Sequence, residues 1–133
     1  LGAGRIATTP DVLDEYEVAA QAGLLPPRVW AGLALVELTP KEAATSETFS
    51  ERLGAGERTC LAVAHSRGGI FASDDADARA AARRLGVPVT GTVGVLVVAV
   101  RRGLLTLAQA NGLLADMIAA GYRSPLDRLD ELV

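Results

Sequence analysis

Apolar positions along this chain recur at two spacings, and turn residues between them divide the sequence into short strands and amphipathic helices. A strand is expected over Arg5–Thr9, followed by a helix with Pro10 in its first turn and Thr9 as N-cap. That helix runs through Asp11–Ala19 to end near Gly23, and its early acids suit the positive end of the helix dipole. Pro26 and Pro27 break the pattern and are expected to start a short turn of helix toward Trp30. Leu33–Leu38 alternates as a strand, and Thr39 with Glu42 forms a capping box that opens the next helix. Gly54 and Gly56 separate it from a helix over Glu57–Ser66, and Gly68 and Gly69 turn the chain into a strand at Ile70–Ser73.

Asp75–Leu85 reads as a helix closed by Gly86, and Val87-Pro88-Val89 as a short strand at a sheet edge or end. The Val-rich run within Thr90–Val100 reads as a strand on propensity, although periodicity does not separate a buried strand from a buried helix. Thr106 and Gln109 form a capping box for a helix that runs to Ala120 before Gly121. The tail Pro125–Val133 is expected to hold a last short helix. Strands alternating with helices indicate an α/β sandwich with a mostly parallel central sheet, built as a single domain over 1–133.

Composition narrows the core. Half of the residues are apolar and only 4% aromatic, so the interior must be built from Ala, Val and Leu. The longest largely apolar run, Val93–Val100, is far short of the roughly 20 residues that span a bilayer. No membrane association is expected, and with no leader pattern visible the expected setting is cytoplasmic. The single cysteine, Cys60, excludes an internal disulfide and a cysteine-based zinc cluster, and its apolar neighbours Leu61–Ala64 make it a core residue. A net charge of −3 argues against a generally basic nucleic-acid binder. Yet Arg79, Arg83, Arg84, Arg101 and Arg102 gather in the second half, and Arg79 and Arg83 share a helix face. They read either as a solvated helix face or as a phosphate-contacting rim.

The most distinctive chemistry lies in Ser73-Asp74-Asp75-Ala76-Asp77-Ala78-Arg79, with three carboxylates within four residues. They fall at a strand end, where open α/β sheets place their ligands, and clustered carboxylates suit a hard divalent cation. Glu15 lies on the helix after the first strand, and Glu57 opens a later one. Each alone is explained as a helix-terminal charge. Together they have the form of a metal site assembled from distant segments, whose mutual repulsion a cation would relieve. Such an ion would orient a water for attack on phosphorus. His65, late in an apolar helix, reads as packing rather than as a general base. A receiver-like phosphoacceptor domain would need a late lysine, yet the only lysine is Lys41; Gly54-Ala55-Gly56 lacks the third glycine and preceding strand of a dinucleotide site.

Residues Gly54–Gly103 resemble a subgroup of predicted nucleic-acid-binding proteins in the PIN-domain superfamily. The resemblance rests on Gly56-Glu57 with the apolar helix Cys60–Ala64, then Ser73-Asp74-Asp75 with Ala78-Arg79. It continues through Ala82, Leu85-Gly86-Val87 and Val89-Thr90-Gly91-Thr92-Val93-Gly94-Val95-Leu96. Pro10-Asp11-Val12-Leu13-Asp14-Glu15-Tyr16 is similar to an upstream family segment, with Tyr16 in place of an apolar residue. The resemblance implies a three-layer α/β/α sandwich and Mg²⁺- or Mn²⁺-dependent ribonuclease activity. It places catalytic and metal-binding positions at Glu15, Glu57, Asp74 and Asp75. It also implies that the Val-rich run after Gly91 is a helix, overriding its propensity. Thr90, Thr92 and Arg79 are the corresponding RNA-contact candidates, although capping explains Thr92 equally well.

Many relatives are toxins of toxin–antitoxin pairs, so a homodimer and an antitoxin partner are implied. The family's opening strand and its acidic residue have no counterpart in this sequence, and a β–α unit of about thirty residues is expected to precede Leu1. The alternative is a shortened relative with an incomplete site, a PIN-like interaction protein that works through a protein partner. Divalent-ion binding separates the two.

Overall fold

The computed structural model describes residues 6–25 and 33–133. The described residues form β1 (Ala7–Thr8), α1 (Pro10–Gln21), β2 (Ala34–Leu35), α2 (Pro40–Glu47), α3 (Ala55–Arg67), β3 (Phe71–Ala72), α4 (Ala76–Arg84), β4 (Val89–Thr90), α5 (Thr92–Arg101) and α6 (Leu107–Ala119). The fold is α/β, in the order read from the sequence, except that the tail adds no helix. The expected turn between Pro26 and Trp30, and the start of the first strand at Arg5, lie outside the described residues.

Every strand is shorter than its apolar run, and local chemistry explains why. Pro10 starts α1 immediately after Thr9, so β1 ends at Thr8. Ser73 Oγ accepts from Asp75 N at 3.1 Å and turns the chain out of β3. Pro88 has no N–H for a ladder, and β4 begins after it. Among the described residues the strands form two pairs, β1 with β2 and β3 with β4, rather than one continuous sheet. The first pair is parallel, with Ala7 opposite Ala34 and Thr8 opposite Leu35.

The chain divides into two compact units, Leu1–Val89 and Thr90–Val133. In the first, α3 is the hub, packing against α1, α2, α4 and β3. Its core joins Leu53, Leu61, Ala64 and Phe71 to Ala78, Ala82 and Val87, with Phe49 and Cys60 packed against it. Alanines at 0% exposure (Ala78, Ala82) help fill this core, as the scarcity of aromatics requires. Cys60 is half-buried, its sulfur 3.6 Å from the Thr9 hydroxyl. Thr9 holds the N-cap position of α1 with an extended backbone, yet its side chain makes no capping bond. Its hydroxyl is instead 2.8 Å from that of Thr59 on α3, inside the protein. Thr59 reaches on to the carbonyls of Ala55 and Gly56, which passes the bond into the helix.

An ion pair absent from the sequence reading closes the other end of α3. Glu42 is 2% exposed, and its two oxygens accept from Arg67 Nη2 at 2.8 Å and Arg67 Nε at 2.9 Å. Arg67 Nη2 also donates to the Glu37 carbonyl, joining the last turn of α3 to the segment between β2 and α2. Glu42 simultaneously completes the expected capping box, accepting from Thr39 N while Thr39 Oγ1 accepts from Glu42 N.

The second unit packs α5 on α6. Val93, Leu96, Val97 and Val100 fall at helical spacing on one face of α5 and meet Ala110, Leu114 and Leu129. Burial on that face outweighs the strand propensity of the valines, so the resemblance is right here and the propensity reading wrong. Gly94 is needed where it stands, because a Cβ there would run into Thr90 Oγ1. The tail is pinned without a helix. Buried Asn111 accepts from Leu129 N at 2.8 Å and donates to Asp130 at 3.1 Å, so a side chain takes the place of a helical backbone partner.

Candidate metal centre

The first carboxylate comes from the middle of α1. Glu15 is exposed, and its Oε1 accepts from Gly56 N at 3.0 Å, so α1 lies across the first turn of α3. Gly56 permits this approach: a Cβ at that position would stand 2.8 Å from Val12 Cγ2 and 3.0 Å from Glu15 Oε2. Gly56→Ala is therefore expected to destabilise the protein by about 1–3 kcal/mol, the usual cost of overpacking, and to push Glu15 off the helix start. Urea unfolding measures the cost; an unchanged midpoint would mean that α1 moves aside freely.

Glu57 stands one residue further along α3. It is half-buried, and its Oε2 accepts from Gly54 N at 3.1 Å, closing back on the start of the helix. Burial pushes its carboxyl above the ordinary carboxylate range. The Gly54 N–H partly opposes that, and the negative charges of Asp75, Glu15 and Asp77 push it further up. Carboxylates from three separate segments thus act on one another around the α3 N-terminus.

Asp74 and Asp75 lie between β3 and α4, both exposed. Asp75 is the N-cap of α4, its Oδ2 accepting from Ala78 N at 2.8 Å. Arg79 reaches back from α4, and its Nη1 donates to the Ser73 carbonyl at 2.9 Å, holding the turn that carries the two aspartates. Part of its guanidinium is thus engaged in structure. Thr90 ends β4 and Thr92 opens α5, both half-buried and both in the second unit.

Asp77 counts in the acidic run of the sequence but not among the four site positions that the resemblance implies. It sits in the first turn of α4 and adds to the field on Glu57; its place in the Asp74–Asp77 run is the available signal. His65 is exposed in the last turn of α3, so it does not pack in the core as expected.

Among the described residues no three His, Cys, Asp or Glu side chains stand close enough to hold a metal ion jointly. The donor set is nonetheless of the right chemistry. It offers hard oxygens only, and burial first, then mutual repulsion, pushes Glu57 up, a repulsion that a cation would relieve. Mg²⁺ commonly takes one or two carboxylates and keeps several waters, so it needs no cage of three. Glu15, Glu57 and Asp75 each anchor one oxygen to a backbone N–H and have a second oxygen besides.

No helix among the described residues is long and apolar enough to cross a membrane. No curated protein and no solved structure matches the sequence. The model of the family DUF3368, described as a PIN domain, matches residues 2–133. With nearly its whole length covered, and with its acidic residues gathered around the start of α3, this chain belongs to that PIN-domain family.

Proposed function

We propose that this PIN domain is a Mg²⁺- or Mn²⁺-dependent ribonuclease that hydrolyses RNA phosphodiester bonds, with 1–133 working as a single domain. The observation that carries the reading is the anchoring of Glu15 and Glu57 on the neighbouring N–H groups of Gly56 and Gly54 at the start of α3, in a chain of the PIN-domain family, with the Glu57 carboxyl raised there. Perturbed carboxylates assembled from distant segments are a mark of functional sites. Glu57 and Asp75 would hold the ion, with Glu15 and Asp74 reaching it directly or through water. The ion, when bound, supplies positive charge beside the phosphate and lowers the pKa of water. The chain's own residues do the positioning. Gly56 N–H fixes Glu15, Gly54 N–H fixes Glu57, and the first turn of α4 fixes Asp75. Arg79 steadies the aspartate turn and is a candidate for phosphate contact; Thr90 and Thr92 are candidates on their own unit. As a toxin of a toxin–antitoxin pair, the protein would form a homodimer and take an antitoxin protein as partner.

Calorimetric titration with Mn²⁺, on this chain and on Asp74→Asn with Asp75→Asn, tests the reading beside a cleavage assay on single-stranded RNA. Saturable binding lost in the double variant, together with Mn²⁺-dependent cleavage, is the expected result. A folded chain that neither binds the ion nor cleaves RNA would instead be a PIN-like interaction protein.

A further inference from the structure

Between the loop that leaves α2 and one face of α4 lies a cleft of about 470 Å³. That volume falls within the roughly 300–1,000 Å³ of small-molecule sites. Its α4 wall is set by helical spacing: Asp77, Ala80, Ala81 and Arg84 share one face. The two alanines keep the floor low, and the charged residues stand at opposite ends. From Asp77 to Arg84 is roughly 10 Å along the axis, at about 1.5 Å per residue. The facing loop contributes Phe49, half-buried against the core, and Arg52, exposed. Among the described residues neither Arg52 nor Arg84 forms an ion pair.

Two cations without acidic partners therefore share an aromatic-edged hollow whose other end carries Asp77, a member of the acidic group. Sequence-tolerant binding of single strands uses these parts: an aromatic face for the base and positive charge for the backbone. With a net charge of −3, the protein can attract RNA only through such a local feature.

We propose that this cleft is a nucleotide subsite for single-stranded RNA, with the base against Phe49 and the backbone phosphate held by Arg52 and Arg84. The strand then passes along α4 toward Asp77 and the carboxylates. Cleavage at those carboxylates rests on the nuclease reading, but binding in the cleft requires none.

The test is fluorescence anisotropy of a labelled single-stranded RNA oligonucleotide, kept intact by EDTA, over a range of salt. Arg52→Gln with Arg84→Gln is expected to weaken binding at least about tenfold. It should also flatten the dependence of log K on log salt by about 0.7, for the one phosphate the two arginines neutralise on a single strand. Phe49→Leu keeps apolar packing and should weaken binding about fivefold at unchanged slope. Arg83→Gln, on the same helix but outside the cleft, should change affinity less than about twofold. The proposal falls if the wild-type chain does not bind, if Arg83→Gln costs as much as the double arginine variant, or if an acidic peptide competes as well as RNA. Cleavage with Mn²⁺ is read separately. Binding with this pattern but no cleavage removes the nuclease reading and supports the subsite. Cleavage whose KM is untouched by the double arginine variant removes the subsite and leaves the nuclease.

Discussion

Glu57→Gln is expected to lower Mn²⁺-supported RNA cleavage at least about a hundredfold, while thermal stability stays the same or rises. The two readouts move apart for a physical reason. Glutamine keeps an oxygen that can accept from Gly54 N–H, so the turn at the start of α3 survives. It removes a negative charge that is both partly buried and repelled by Asp75, Glu15 and Asp77. A group held for folding would show the reverse, a fall in stability with the loss of activity as its consequence. The wild-type pH dependence is expected to carry the same signature. The proton competes with the ion for the Glu57 carboxylate, and its folded pKa lies above the ordinary value, so Mn²⁺ affinity should still be climbing with pH above the usual carboxylate range. In Glu57→Gln that climb should shrink. Activity within about threefold of wild type, or a variant with an unaltered pH profile, would remove Glu57 from the centre.

Glu42→Ala should bring the largest loss of stability, about 2–3 kcal/mol at neutral pH. About 1 kcal/mol of this is the lost cap of α2. The remainder is the ion pair, discounted from the cost of breaking a fully buried one because the Arg67 side chain is 45% exposed. The Arg67 guanidinium, with the Thr39 N–H, draws the Glu42 carboxyl down to about 2 against the resistance of burial. A carboxyl depressed in the folded state stabilises fully above its unfolded value, near 4.5, and progressively less as pH falls toward 2. The gap between wild type and variant in urea unfolding should therefore be widest at neutral pH and narrow below about pH 4. A gap that does not change with pH would mean that only the cap, not the charge, matters.

The features legible in the sequence are local. The capping boxes at Thr39–Glu42 and Thr106–Gln109, Asp75 at the head of α4 and Pro10 at the head of α1 all lie where the pattern puts them. Each is settled within one turn of helix. Three of the four proposed carboxylates yield to the same short-range logic, because Glu57 and Asp75 sit at helix starts and Glu15 on the helix that Pro10 opens. The misses are long-range. Glu42 reads in sequence only as a capping residue, since its second partner stands twenty-five residues away at Arg67. Thr9 reads as a cap, but buried Thr59 offers its hydroxyl a better partner. The valines of α5 mislead because propensity describes a residue alone, whereas the helical face meets Leu114 and Leu129. The tail fails as a helix because Asn111 claims the Leu129 N–H, a bond no local pattern announces.

The N–H groups of Gly54 and Gly56 already hold an oxygen of Glu57 and of Glu15. Much of the scaffold for the proposed cation is thus built from the peptide backbone. If the proposed centre takes up magnesium, loading would ask little rearrangement of the chain around Glu15 and Glu57, because both side chains already sit on backbone donors. Under the nuclease reading proposed above, the supply of the ion, rather than a refolding step, would then set how much of the protein is active.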